Sequence, residues 1–139
     1  MAGISEFFWP VRVYYEDTDG GGVVYHANYL KFMERARTEW LRILGFEQTA
    51  LRTELGILFV VHGLQMQFKK PAQFNDTLQV RSRLLKVGRS LLVFEQDILR
   101  EDEALTSAKV DVVCIDADRF KPVSIPLSIR NTMMELHWN

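Results

Sequence analysis

A single cysteine, Cys114, excludes an internal disulfide, so packing and hydrogen bonds must hold the fold. No apolar run approaches the ~20 residues of a membrane-spanning helix. Met1 to Pro10 lack the basic and apolar blocks of a secretory signal. These absences point to the cytoplasm. Neither sign of charge dominates: 17 basic and 18 acidic residues leave a net charge of −1, which gives no footprint for nucleic acid. The three histidines, His26, His62 and His137, lack the spacing of a zinc site, so no metal is expected. Repeats, low-complexity segments and Ser/Pro-rich linkers are absent, so residues 1–139 read as one domain. At 47% apolar and 25% charged, that domain can build a hydrophobic core.

The apolar pattern changes period along the chain. Val11 to Glu16 alternates and reads as a strand. Tyr29, Phe32, Met33, Ala36, Trp40, Leu41 and Leu44 then recur at helical spacing, with Lys31, Glu34, Arg35, Arg37, Thr38 and Arg42 opposite. This predicts an amphipathic helix that starts within Tyr25–Asn28 and stops at Gly45, where glycine accepts a positive φ. Period two returns in Leu64–Lys69, Leu78–Leu84 and Leu92–Ile98, and Ala104–Asp116 is a last long strand. Gly88-Arg89 and Glu101-Asp102 read as hairpin turns, and Ser128–Leu136 as a short terminal helix. One strand, one long helix and four strands in meander make an α+β domain. Its antiparallel sheet, of about five strands, wraps the helix.

Between the first strand and the helix lies Tyr14 to Tyr29, YYEDTDGGGVVYHANY. It begins like a calcium loop, but Gly21 and Asn28 stand where the fifth and twelfth positions need oxygen ligands. Tyr25 stands where a dinucleotide fingerprint needs its third glycine, and no Gly-Lys-Ser/Thr phosphate loop is present. No serine sits in a nucleophile elbow, and Cys114 lies in an apolar strand, as a packed cysteine does. What remains is an acidic turn, three glycines and a helix N-terminus. Glycines let backbone N–H groups approach a ligand, and a helix's first turn carries unpaired donors and partial positive charge. Such donors polarise a carbonyl, and a nearby carboxylate can act as nucleophile or base. The residues alone leave a second reading open, in which Asp17 and Asp19 only make turn hydrogen bonds.

At these residues the sequence resembles the hotdog-fold acyl-CoA thioesterases. It is most similar to the bacterial family encoded beside the Tol–Pal envelope genes, related to 4-hydroxybenzoyl-CoA thioesterase. The resemblance rests on Val11–Asp19, Gly21–Tyr29 and Phe32–Glu39, with further matches at Phe59–Val61, Pro71-Ala72, Asp76 and Asp111–Cys114. It covers roughly Trp9 to Pro126. It implies the hotdog fold and symmetric pairing into a homodimer or homotetramer. It also implies hydrolysis of acyl-CoA thioesters, with no cofactor beyond the coenzyme A thioester substrate. Asp19 becomes the catalytic acid, the backbone N–H of His26 the oxyanion donor, and the His26 side chain a candidate to orient water or substrate. Gly21, Gly22, Val23 and Tyr25 would face the substrate. Glu34 would reach an acyl pocket across the dimer, and Lys86, Arg89 and Ser90 would hold coenzyme A phosphates. Asp17 reads as a turn-former; Tyr14, Tyr15 and Tyr25 read as packing or pocket wall. Relatives carry a small residue where Gly20 stands, so Gly20 should tolerate alanine best.

Asp19 would either attack the thioester, giving a mixed anhydride, or deprotonate an attacking water. Two other readings share these residues. A hotdog-fold hydratase or dehydratase would use Asp19 and His26 to move a proton across a double bond. A non-catalytic module would bind acyl chains or acyl-carrier protein without turnover. For a hydrolase, acyl-carrier protein is a second candidate thiol carrier.

Overall fold

The computed structural model describes residues 5–136. The chain runs β1 (Glu6–Arg12), a 3₁₀ turn (Tyr15–Asp17), α1 (His26–Ile43), a short α2 (Gln48–Ala50) continued by a π turn (Leu51–Leu55), β2 (Ile57–Phe68), β3 (Thr77–Val87), β4 (Leu91–Arg100), β5 (Glu103–Asp116) and α3 (Leu127–Leu136). The strands form one antiparallel sheet in the order β1-β3-β4-β5-β2.

Period two on β3, β4 and β5 puts Leu78, Val80, Leu84, Leu92, Phe94, Ile98, Val110, Val112 and Cys114 in the core. The apolar stripe of α1 buries Tyr29, Phe32, Met33, Ala36, Trp40 and Leu41 in the same core. Trp40 carries the stripe to the sheet edge, where its ring stacks on Phe7 at 5.8 Å. The helix stops as expected: Gly45 takes φ +96° and its N–H closes on the Arg42 carbonyl at 3.0 Å. A sheet wrapped on one long helix is the hotdog arrangement.

The strand expected over Leu64–Lys69 begins earlier, at Ile57, and two further expectations change. The first strand lies at Glu6–Arg12 rather than Val11–Glu16, because Tyr15–Asp17 winds into a turn and leaves Tyr15 73% exposed. Pro10 is accommodated because β1 is an edge strand and needs no donor on its outer side. The meander holds only for β3, β4 and β5. β2 pairs with β5, Phe59 opposite Cys114, since β1 already occupies the free side of β3 with Trp9 opposite Val80. The chain from Lys69 to Asp76 therefore crosses one end of the sheet, and this crossing forms a wall of the candidate site.

Candidate active site

The acidic turn and the glycines form a miniature hairpin. Thr18 and Val24 make an antiparallel bridge, the Asp19 N–H donates to the Val23 carbonyl at 3.0 Å, and the Tyr25 N–H donates to the Asp17 carbonyl at 2.9 Å. The crossing segment pins the far side: the Val24 N–H donates to Ala72 O at 2.8 Å and the Phe74 N–H to Gly22 O at 3.1 Å. Asp19 thus sits one short turn from the start of α1, exposed, with Oδ1 accepting the Gly21 N–H at 2.8 Å.

The glycines are not equivalent. Gly20 and Gly22 have φ of +91° and +87°, where a side chain is strained. Gly21 has no such φ, but a Cβ there would meet Asp19 Oδ1 at 3.2 Å. The expectation that Gly20 best tolerates alanine is therefore overturned by its backbone angle. Gly21 is the glycine on which a methyl group would press the acid itself.

Tyr25 caps α1 in an extended conformation without a side-chain cap. Among the described residues the N–H groups of His26 and Ala27 have no backbone partner, which leaves the first-turn donors for a ligand. The His26 ring lies 4.4 Å from that of Tyr25 and 6.4 Å from that of Phe68. A groove of about 260 Å³ opens beside it, walled by Val24, Tyr29, Phe68 and Pro71 and rimmed by Lys69 and Lys70. Val23 is half-buried against the crossing segment, bridged to Gln73. Tyr14, Tyr15 and Tyr25 are 61%, 73% and 47% exposed, so none packs in the core; Tyr25 flanks the groove's histidine instead.

Two expected groups lie apart from Asp19 within one chain. Glu34 is exposed on α1 and borders a separate cavity of about 110 Å³ with Arg37, Thr38, Gln48, Phe59 and Phe94. Burial lowers the pKa of Arg37, and the charge of Glu34 partly offsets this. Lys86, Arg89 and Ser90 flank the β3–β4 hairpin, at the opposite end of the sheet from Asp19. The 11 residues of β3 put roughly 33 Å between those ends. Arg89 Nε donates to Ser124 Oγ at 2.7 Å, and Ser90 O accepts the Cys114 N–H at 2.8 Å. One chain alone does not bring this cluster to the acid.

Two of the bonds that brace the loop carry no mark in the sequence. The Asp17 carboxylate is buried and accepts the Tyr14 N–H at 2.9 Å, the turn-forming bond expected of it, and also Asn28 Nδ2 at 2.8 Å. The Tyr29 hydroxyl accepts the Ala72 N–H at 3.0 Å, tying α1 to the crossing segment. Helical spacing marks Tyr29 as apolar stripe and gives no sign of the bond its hydroxyl makes.

The profile of the Thioesterase superfamily matches residues 21–107, from the glycine loop through most of the sheet. The chain is 46% identical over 124 residues to the acyl-CoA thioesterase YbgC of Haemophilus influenzae, spanning 89% of this chain and 91% of that one. It is 48% identical over 124 residues to the acyl-CoA thioester hydrolase YbgC of Escherichia coli O157:H7, spanning 88% and 92%. Among solved structures, the DHNA-CoA thioesterase of Staphylococcus aureus superposes with a TM-score of 0.88 at 25% identity, over 94% of this chain and 90% of that one.

Proposed function

The chain belongs to the thioesterase superfamily, and on that premise we propose that it hydrolyses acyl-coenzyme A thioesters to the free acid and coenzyme A. One observation carries the reading. A carboxylate, Asp19, is tied by a miniature hairpin to a helix start whose His26 and Ala27 N–H groups have no backbone partner among the described residues. A thioester carbonyl lying in the groove beside His26 would point its oxygen at those donors. They would stabilise the negative charge that develops on attack, without reorganising. Asp19 would attack the carbonyl carbon or take a proton from water that does. The thiolate of coenzyme A leaves without a dedicated acid. No cofactor is required.

The same reading calls for a homo-oligomer. β2 is an edge strand with Val60, Val61, Leu64 and Phe68 exposed, and an apolar open edge needs cover. Phe68 marks the Asp19 end of this strand, and Val60, in register through Val113 with Leu91, marks the hairpin end. Antiparallel pairing of two β2 edges would carry one chain's Lys86, Arg89 and Ser90 toward the other chain's Asp19. Those groups would then meet coenzyme A phosphates. A cytoplasmic protein of the Tol–Pal gene neighbourhood fits this reading, with acyl-carrier protein as a second thiol carrier.

Thiol release from acyl-CoAs of graded length and aromatic character tests the activity, with Asp19→Asn as the deciding variant. Turnover should fall ~10²-fold or more in a folded Asp19→Asn protein. Parent-level hydrolysis by that variant would remove Asp19 from the chemistry. Loss of enoyl absorbance without thiol release would instead identify a hydratase, and binding without turnover a carrier module.

A further inference from the structure

We propose that Asn28 is a positioning residue for this reaction, which through Asp17 holds the acid of the loop in register with the first turn of the helix. The inference rests on Asp19 as the reacting carboxylate.

Asn28 is the third residue of α1, where side chains lean back toward the helix start. Its Nδ2 donates to Asp17 Oδ1 at 2.8 Å, across 11 residues of sequence. The amide orientation is fixed by chemistry, because an ionised carboxylate only accepts. Asp17 Oδ2 takes the Tyr14 N–H at 2.9 Å, and the Asp17 carbonyl takes the Tyr25 N–H at 2.9 Å. Asp17 is therefore a three-way junction between the end of the first strand's extension, the residue before α1, and α1 itself.

Turn formation explains only part of this junction. The Tyr14 bond closes a local turn, as Asp often does. The Asn28 bond instead crosses the glycine run, the stretch with the greatest backbone freedom between Asp19 and the helix. Asp17 is 8% exposed, and burying a carboxylate is costly unless it is bonded. Asn28 supplies the only side-chain donor to it among the described residues. The pair fixes the separation of Asp19, two residues along, from the N–H groups of His26 and Ala27. Carboxylate and oxyanion donors must be in place together, and a misplacement of about 1 Å can cost ~10²-fold in rate.

The test is a reciprocal exchange. Asn28→Ala and Asn28→Asp should each lower kcat for acyl-CoA hydrolysis, by between ~10-fold and ~10²-fold, while KM stays near the parent value. Asn28→Asp should be the worse, since two carboxylates then face each other. The double variant Asp17→Asn with Asn28→Asp keeps the charge and both bonds, with Oδ1 of residue 17 accepting Tyr14 N–H and its Nδ2 donating to residue 28. It should recover most of the lost kcat. Thermal melts normalise each rate to folded protein, and Asn28→Ala decides alone if the charged variants do not fold. Parent-level kcat in Asn28→Ala overturns the proposal. So does an exchanged variant that folds but is no faster than Asn28→Asp. Asp19→Asn is measured alongside: if it stays active, the assignment of the acid has failed, whereas an inactive Asp19→Asn beside a fully active Asn28→Ala removes only the clamp.

Discussion

The guanidinium of Arg37 donates to the Gln96 carboxamide at 2.8 Å, joining the middle of the central helix to the middle of the sheet. Gln96 completes the link by donating to Ser82 Oγ at 2.9 Å and to the Met33 carbonyl at 3.0 Å. Gln96 and Ser82 are fully buried on the face that otherwise carries Leu, Val and Phe. Gln96→Leu, similar in volume, should lower stability by about 1–3 kcal/mol, because three polar groups lose a partner in the core. A drop of several degrees in the melting midpoint is the readout. An unchanged melt would mean that water replaces the carboxamide.

The glycine loop separates strain from chemistry. Gly20→Ala and Gly22→Ala place a side chain at positive φ and should destabilise by about 1 kcal/mol or more. Gly21→Ala has no such strain and should melt near the parent. Its methyl group would instead crowd the Asp19 carboxylate, so thioester turnover per folded molecule should fall. Equal turnover in Gly21→Ala and the parent would show that the loop does not hold Asp19 in its working position.

Burial pushes the Cys114 thiol up to about 11. In the unfolded chain a thiol titrates near ~8.5. The folded pKa is the higher, so the contribution is full below ~8.5 and is lost as pH rises toward 11. The stability difference between the parent and Cys114→Val should therefore shift against the parent across that alkaline window and stay constant at neutral pH. Iodoacetamide should label Cys114 only on unfolding. Rapid labelling of native protein at pH 8 would contradict its burial.

Leu64→Lys puts a charge on the apolar edge of β2, where Leu64 is 41% exposed. Lysine on an open edge opposes strand pairing. Light scattering should give a smaller mass than the parent, and turnover should fall with it. A parent that is already a monomer, and active, would remove the need for a second copy.

What was legible in the sequence follows from the range of the forces involved. The start and stop of α1, the alternation on β3 to β5 and the two hairpins depend on neighbours a few residues apart, and each lies where the pattern placed it. β1 was misplaced because alternation from Val11 to Tyr15 outlasts the strand, which runs from Glu6 to Arg12. The position of β2 depends on which strand wins the side of β3, a contest between segments dozens of residues apart. At the site, the order acid, glycines, helix start was visible. The Asp17–Asn28 bond and the Tyr29–Ala72 bond were not, because polar groups that meet through folding leave no period behind.

The passage of the chain from β2 to β3 across one end of the sheet has a genetic corollary. It sets Asp19 and the Lys86–Ser90 hairpin at opposite ends of one protomer, so under the edge pairing proposed above each active centre draws its acid from one chain and its cations from the other. Two defective alleles, one encoding Asp19→Asn and one lacking Lys86 and Arg89, would then complement when co-expressed. In the mixed dimer both lesions fall on a single centre, and the other centre is assembled entirely from intact parts.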